Sequence, residues 1–353
     1  MVETTNRCSL SCVHCSVSEE GHPHHAQTGY LDPALFEALI DDLVRFRARF
    51  DALIPFWLGE PLLHPHFGHL WRHALRAAVA HGTFRKVEVH SNATHLFADR
   101  AAALCNDADV PQVWHISLDA ATEPTYSAVK GKDRYARVVE NTLGLLSLKA
   151  RRRARWPRVV FQFIASSNNA AEVRAFRDLW TEACTSRGLP VQVSAGHVPP
   201  GEDQVVFFRQ RDCPTPEMQE RENQVFREAM AGLGLRLPAA SARGERVTAQ
   251  NLQPCSAFWK SPVVSWRGEV TTCTRDNLLE NGLGSIRDTP FSELWWGPEM
   301  SRRRAAVARG DYRGLPPCST CFIPKSLNHA ELSEADVARQ ARYDEARHGL
   351  GAA

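Results

Sequence analysis

The chain has 353 residues, with 42 Lys and Arg against 40 Asp and Glu and 43% apolar residues. A net charge of +2 excludes a strongly basic nucleic-acid binder and an acidic disordered tail. No apolar run reaches the roughly 18 residues of a membrane span, and MVETTNRC lacks the layout of a secretory signal. A cytoplasmic protein without membrane or nucleic-acid partners is therefore expected. Its ten cysteines then point to metal or cluster ligation rather than disulfides, because the cytosol keeps thiols reduced.

In chain order, the hydrophobic periodicity predicts strands at Val2–Thr5, Leu53–Leu58, Lys86–His90, Gln112–Leu118, Arg158–Ala165 and Pro190–Ala195. Helices are expected between them. The clearest starts at Asp32 as N-cap and Pro33 at the first helical position, with Leu35, Leu39, Leu43 and Phe46 on one face. Others cover about Phe67–Ala80, Tyr135–Leu148 and Ala170–Ser186. Six strands, each followed by a helix, imply a parallel α/β sheet curved into an open barrel, with function at the strand C-termini. The reading is a partial (β/α)6 barrel over 1–200 and a linker and helical region over 201–252, with a charged helix near Pro216–Leu233. A small α+β domain over 253–324 and a C-terminal helix within 325–353 complete it. The basic runs Lys149–Arg158 and Arg302–Arg304 read as solvated helix faces, and the HPHH run at 22–25 as a loop.

Cys8, Cys12 and Cys15 follow the first predicted strand as Cys-x3-Cys-x2-Cys. Three thiolates from one loop can hold three irons of a cubane and leave the fourth open, whereas a structural zinc normally takes four ligands. The run CSLSCVHC resembles the signature of the radical S-adenosylmethionine (SAM) superfamily. That resemblance implies a [4Fe–4S] cluster whose open iron chelates SAM, an external electron donor such as flavodoxin or ferredoxin, and a 5′-deoxyadenosyl radical as the reactive species. It also implies roles for particular residues. Gly59, Glu60 and Pro61 stand where the superfamily's loop meets the SAM amino group, with Leu58 replacing the usual first glycine. His14 fills the usually aromatic slot near the adenine. HSNAT at 90–94, with Asn92, is similar to the third-strand Thr-Asn-Gly, and SLDAATEPTYSAVKG at 117–131 to a Ser-Ile-Asp-Gly-Ala-Thr segment. Ser117 would then contact the ribose, with Asp119 beside it.

A second set, Cys255, Cys273, Cys318 and Cys321, contains a single Cys-x2-Cys knuckle where a zinc ribbon needs two. It resembles the shortened auxiliary-cluster domain called twitch, related to the SPASM domain, and so implies a second, fully ligated [4Fe–4S] cluster. Gly268 fits a hairpin turn returning Cys273 toward Cys255. Of the remaining cysteines, Cys105 and Cys184 read as core, and Cys213 as a candidate hydrogen-atom donor.

Strand alternation supplies an argument independent of resemblance. Glu88, His90 and Asn92 share one strand face, as do His115, Ser117 and Asp119, with Gln162, Gln192 and Ser194 on the same side of later strands. The apolar faces should pack under helices, leaving a polar interior for a polar ligand. Glu88, His90, His115 and Gln162 are the expected substrate contacts. The absence of room before Cys8 for a leader-binding domain, together with the polar interior, favours a small sugar, aminocyclitol or nucleoside-like substrate. The excess of Arg over Lys fits bacterial natural-product biosynthesis. A peptide-modifying enzyme is the alternative, and a non-enzymatic electron carrier the third reading.

Overall fold

The computed structural model describes residues 1–18, 22–237 and 255–321. The expected C-terminal helix and part of the expected linker lie outside them. Six strands form one fully parallel sheet: β1 (Phe50–Leu53), β2 (Phe84–Ser91), β3 (Gln112–Ser117), β4 (Arg158–Ala165), β5 (Val191–Ala195) and β6 (Gln204–Gln210), in spatial order β1-β2-β3-β4-β6-β5. The helices of this unit are α1 (Pro33–Arg45), α2 (Phe67–His81), α3 (Ala98–Leu104), α4 (Glu123–Lys130), α5 (Tyr135–Arg152), α6 (Val173–Thr185) and α7 (Pro216–Gly232). Asp32 caps α1 by accepting from Ala34 N at 2.9 Å, with Pro33 at the first position. Apolar strand faces pack beneath helices: Phe161 stacks on Trp180 of α6 at 4.7 Å and Phe163 meets Phe176 edge-on at 4.8 Å.

The sequence expectations need three corrections here. Val2–Thr5 is not a strand of the large sheet. Val2 N donates to Ile54 O at 2.9 Å and Glu3 N to Val264 O at 2.8 Å, so this segment joins the two halves of the molecule. The second expected strand, Leu53–Leu58, ends early: β1 covers Phe50–Leu53, and residues 54–60 run on as irregular chain beside residues 2–7. The sixth strand of the sheet lies inside the expected linker. Gln204–Gln210 inserts between β4 and β5, so the sheet continues past residue 200, and β5 reaches β6 with no intervening helix.

The return from β5 to β6 also modifies the expected interior. Val198 packs against Val113, Val160, Val205 and Phe207, a small apolar cluster separate from the main core. Arg158 anchors the return by donating to Pro199 O at 2.7 Å and Asp203 O at 2.6 Å. The inner face is therefore apolar toward its base, and its polar residues lie closer to the strand C-termini.

The smaller unit holds the antiparallel strands β7 (Val263–Val264), β8 (Glu269–Thr271) and β9 (Gly284–Ser285), with Gly268 in the β7–β8 turn at φ 96°. It is held to the larger unit by Asp42 of α1, which accepts from Ser292 N and Ser292 Oγ at 2.8 and 3.0 Å, and by Trp57 Nε1 donating to Thr274 O at 2.9 Å.

Candidate active site

The segment from Cys8 to Cys15 is held by backbone contacts on both flanks. Ser11 N donates to Lys130 O at 3.1 Å and Val13 N to Val129 O at 3.0 Å, so the loop uses the free carbonyls at the end of α4. Gly131 follows at φ 71°, and a Cβ there would collide with the carbonyl of Ser11. On the other side, Glu60 N donates to Arg7 O at 2.8 Å, and a Cβ on Gly59 would run into the carbonyl of Thr5. Two glycines thus permit the chain to approach the cysteine loop from both flanks.

Glu60 is fully committed to this frame. Its carboxylate accepts from Asn92 N at 2.7 Å, Ser91 Oγ at 2.8 Å and Leu62 N at 3.0 Å, the last capping the turn Pro61–Leu63. Burial nevertheless pushes its pKa up to about 7, against the hydrogen bonds that favour the ionised form. Asn92 Nδ2 reaches Cys8 Sγ at 3.7 Å and Ser9 Oγ at 3.3 Å. Ala93, at φ 57°, holds the left-handed position that the similar Thr-Asn-Gly motif gives to glycine.

Ser117, Asp119 and His14 meet around a residue that the sequence reading did not single out. Lys130 is buried and ion-pairs with Asp119, and it donates to Ser117 Oγ at 2.9 Å. Ser117 Oγ in turn donates to Asp119 Oδ2 at 3.0 Å, and Asp119 Oδ1 accepts from Ile164 N at 2.6 Å. Burial alone would raise the Asp119 pKa, but Lys130 holds it below the ordinary value. The Lys130 pKa is raised by the same pairing. His14 Nε2 lies 3.5 Å from Asp119, and burial lowers its pKa to about 4, so the ring is neutral at pH 7. Lys130 was visible in sequence only as the penultimate residue of the SLDAATEPTYSAVKG run.

A cavity of ≈ 600 Å³ opens over the loop, with Cys8, Cys12, Cys15, Tyr30 and Leu63 among its walls. The thiols fit a cluster. Thiolates this close repel one another, so the set deprotonates together only with a cation between its members. The same holds in the smaller unit, where burial and the charges of Cys255, Cys318 and Cys321 raise Cys273 to about 12. Arg275 N donates to Cys273 Sγ at 3.4 Å and Asn281 Nδ2 to Cys318 Sγ at 3.2 Å, the kind of outer contact that steadies metal-bound thiolates.

The sequence matches two family patterns, the radical SAM superfamily over residues 2–149 and the iron–sulfur cluster-binding SPASM domain over 255–322. The chain carries a radical SAM domain followed by a SPASM-type cluster domain. It therefore uses a SAM-binding [4Fe–4S] cluster and an auxiliary cluster. No curated protein matches the sequence at a significant level. Among solved structures, this radical SAM protein resembles anSMEcpe with bound AdoMet at 13% identity and TM-score 0.58, covering 98% of this chain and 91% of that one. SuiB of Streptococcus suis bound to S-adenosylmethionine gives 10% identity and TM-score 0.55 over 86% of this chain and 66% of that one. BtrN in complex with AdoMet and 2-DOIA gives 14% identity and TM-score 0.48 over 94% and 92%. At these identities the likeness concerns the fold.

Deeper along the inner face of this radical SAM protein, β2 and β3 bring Glu88, His90 and His115 together. His90 Nε2 lies 2.8 Å and His115 Nε2 3.2 Å from Glu88 Oε1, and Lys86 Nζ lies 2.5 Å from Oε2. Burial would raise the Glu88 pKa, but the two imidazoles hold it well below the ordinary value. Burial lowers His115 to about 4. The His90 ring is sandwiched, with Phe56 at 5.3 Å on one face and His115 at 4.3 Å on the other, each 12° from parallel. Three ligating side chains gather here, yet each imidazole lone pair lies in its own ring plane and the two stacked, near-parallel planes do not meet at one point, so both imidazoles cannot aim at one ion. The arrangement is a hydrogen-bonding one.

Gln162 lies on the neighbouring strand, its register partner being Ser117. Cys213, in contrast, is buried and does not line the cavity over the cysteine loop; its backbone N donates to Gln219 Oε1 at 3.0 Å. Cys105 and Cys184 are likewise buried. The HPHH run contains a short 3-10 turn, Pro23–His25, in which His24 Nε2 lies 3.1 Å from Asn6 O.

Proposed function

We propose that this protein removes a hydrogen atom from a small polar substrate, a sugar, aminocyclitol or nucleoside-like molecule in bacterial natural-product biosynthesis, making the net reaction an oxidation. When bound, SAM and its cluster supply the 5′-deoxyadenosyl radical, and the auxiliary cluster supplies a sink for the second electron. Flavodoxin or ferredoxin is the proposed reductant. Cys8, Cys12 and Cys15 would hold the first cluster, and Cys255, Cys273, Cys318 and Cys321 the second. Gly59, Glu60, Pro61 and Asn92 shape the SAM side of the site. The hydroxyl of Ser117 and the carboxylate of Asp119 act through the Lys130 network beside His14.

One observation carries the substrate reading. On the inner face, the imidazole Nδ1 of buried His115 has no hydrogen-bond partner among the described residues. A buried polar atom left unpaired costs about 1–3 kcal/mol, so such atoms are expected to meet a ligand or an ordered water. His90 shows its edge to a cavity of ≈ 1010 Å³ between the barrel and the smaller unit, with Nε2 already given to Glu88. Its Nδ1 can therefore accept the proton of a substrate hydroxyl as the carbon loses hydrogen, while Glu88 fixes the tautomer.

The test is anaerobic incubation of the reduced, cluster-loaded protein with SAM and panels of polyols, aminocyclitols, nucleosides and peptides. Formation of 5′-deoxyadenosine stimulated by a polyol-type compound, and lost in His90→Asn, supports the reading. Stimulation by peptides alone moves the protein to peptide modification. No cleavage with any reductant overturns the enzymatic reading altogether.

A further inference from the structure

The large cavity has a charge pattern that the hydroxyl-binding residues do not require. Among the described residues, Arg49, Arg209, Lys260 and Arg275 line it against two carboxylates, Asp51 and Asp212. Asp51 pairs with Arg85 outside the cavity wall, 3.3 Å away. Asp212 is shared. Arg209 Nη2 donates to Asp212 Oδ2 at 2.9 Å, and Arg275 Nη1 lies 3.5 Å from Asp212 Oδ1. Every guanidinium offers a planar fork of N–H donors suited to bidentate oxyanion binding. Here Arg209 uses one donor and Arg275 has no side-chain hydrogen bond among the described residues, although both side chains are about two-thirds covered, at 35% and 31% exposure.

The two forks also come from different units. Arg209 is the penultimate residue of β6, at the C-terminal end of the sheet where ligands bind. Arg275 follows Cys273 by two residues, and its backbone N is bonded to that cysteine's sulfur. We propose that the substrate carries an oxyanionic group, a carboxylate or a phosphate, which docks between Arg209 and Arg275 and displaces the shared Asp212 carboxylate. Asp212 lies between the two guanidinium groups, neutralising cations that would otherwise repel each other. The substrate then bridges the barrel and the auxiliary-cluster unit, with its oxyanion at the seam and its hydroxyls toward His90. This inference rests on the small-polar-substrate reading and narrows it.

The experiment compares matched pairs of ligands by calorimetric binding to the cluster-loaded, SAM-bound protein: glucose against glucose 6-phosphate and glucuronate, and myo-inositol against its monophosphate. Anionic members should bind about tenfold or more tightly than neutral ones, as expected for charge-assisted hydrogen bonds. The phosphate and carboxylate arms identify which oxyanion is preferred. Arg209→Gln and Arg275→Gln should each erase most of that preference, while Asp212→Asn should strengthen anion binding by removing the competitor. SAM affinity in the three variants should stay at the wild-type value. Equal binding of neutral and anionic members, or no binding by either, overturns the inference, as does weakened anion binding in Asp212→Asn. Loss of SAM binding in Arg209→Gln would reassign that residue to the cofactor and also overturns it. Neutral polyols that bind and trigger 5′-deoxyadenosine formation would preserve the small-molecule reading while removing the anion.

Discussion

Asn92 Nδ2 points to Cys8 Sγ from 3.7 Å, so a side chain of the HSNAT segment touches the first thiol of the cysteine loop directly. Hydrogen bonds to a cluster's sulfurs stabilise its more negative, reduced state and raise its potential. Asn92→Ala should make the potential of the Cys8–Cys12–Cys15 cluster more negative while leaving the auxiliary cluster where it was. Redox titration followed by electron paramagnetic resonance measures both. An unchanged first potential would mean that the contact does not reach the metal.

Gly59 makes a second, steric claim. A methyl group there meets the carbonyl of Thr5, and the backbone of Asn6 and Arg7 is also within reach. Backbone cannot move aside as a flexible side chain does. Gly59→Ala should therefore displace the segment leading to Cys8 and destabilise the protein by about 1–3 kcal/mol, the usual range for overpacking. Iron and sulfide analysis after reconstitution should show loss from the first site and retention at the second. Gly188→Ala, where a Cβ meets nothing, is the control for clash, although its φ of 66° carries strain of its own.

The first cysteine set was legible because its spacing is local, three cysteines within one loop, whereas Cys255 and Cys273 stand far from the Cys318–Cys321 knuckle and were grouped with it by resemblance. The inner-face residues Glu88, His90 and His115 were legible because alternation places them on one side of adjacent strands, whose register then pairs His90 with His115. What was lost was non-local. Val2–Thr5 has strand-like composition, but its partner Val264 lies in the other unit, beyond the range of any pattern. Gln204–Gln210 contains Val-Val-Phe-Phe, a buried strand without alternation, and the preceding Pro-Pro-Gly-Glu-Asp resembles a linker. Arg209, Asp212 and Arg275 are ordinary surface-type residues until the fold brings two units together. The apolar base of the inner face was hidden similarly, because Val198 reaches it from a return loop.

Glu60 gives a pH dependence with a definite sign. Its folded pKa of about 7 stands above the ordinary 4.5, so the folded state holds the proton more tightly than the unfolded chain. The corresponding stability is complete below about pH 4.5 and is lost as pH rises through 7. At full strength this amounts to roughly 3 kcal/mol, at 1.36 kcal/mol per unit. His115 acts in the opposite direction: its pKa falls from 6.5 to about 4, so stability declines as pH drops through that window. Glu60→Gln should remove the loss between pH 5 and 8 and leave the acid-side decline in place. Denaturation midpoints of the cluster-loaded variant and wild type across this range measure it. Parallel pH profiles would show that Glu60 is ionised throughout.

Lys130 and Asp119 provide the strongest stability prediction, because both side chains are almost fully buried. Removing one partner leaves an uncompensated charge in low dielectric, which typically costs about 3–5 kcal/mol, whereas removing both leaves none. Lys130→Met should thus be severely destabilising, and Lys130→Met with Asp119→Asn should recover part of the loss. The recovery should be incomplete, since Asp119 Oδ1 also accepts from Ile164 N and Oδ2 from Ser117 Oγ, and an amide can replace only one of these acceptors. A double-mutant cycle on denaturation free energy isolates the pair. Additive losses would show that the two charges are stabilised separately, and the network around Ser117 and His14 would then have no ionic centre.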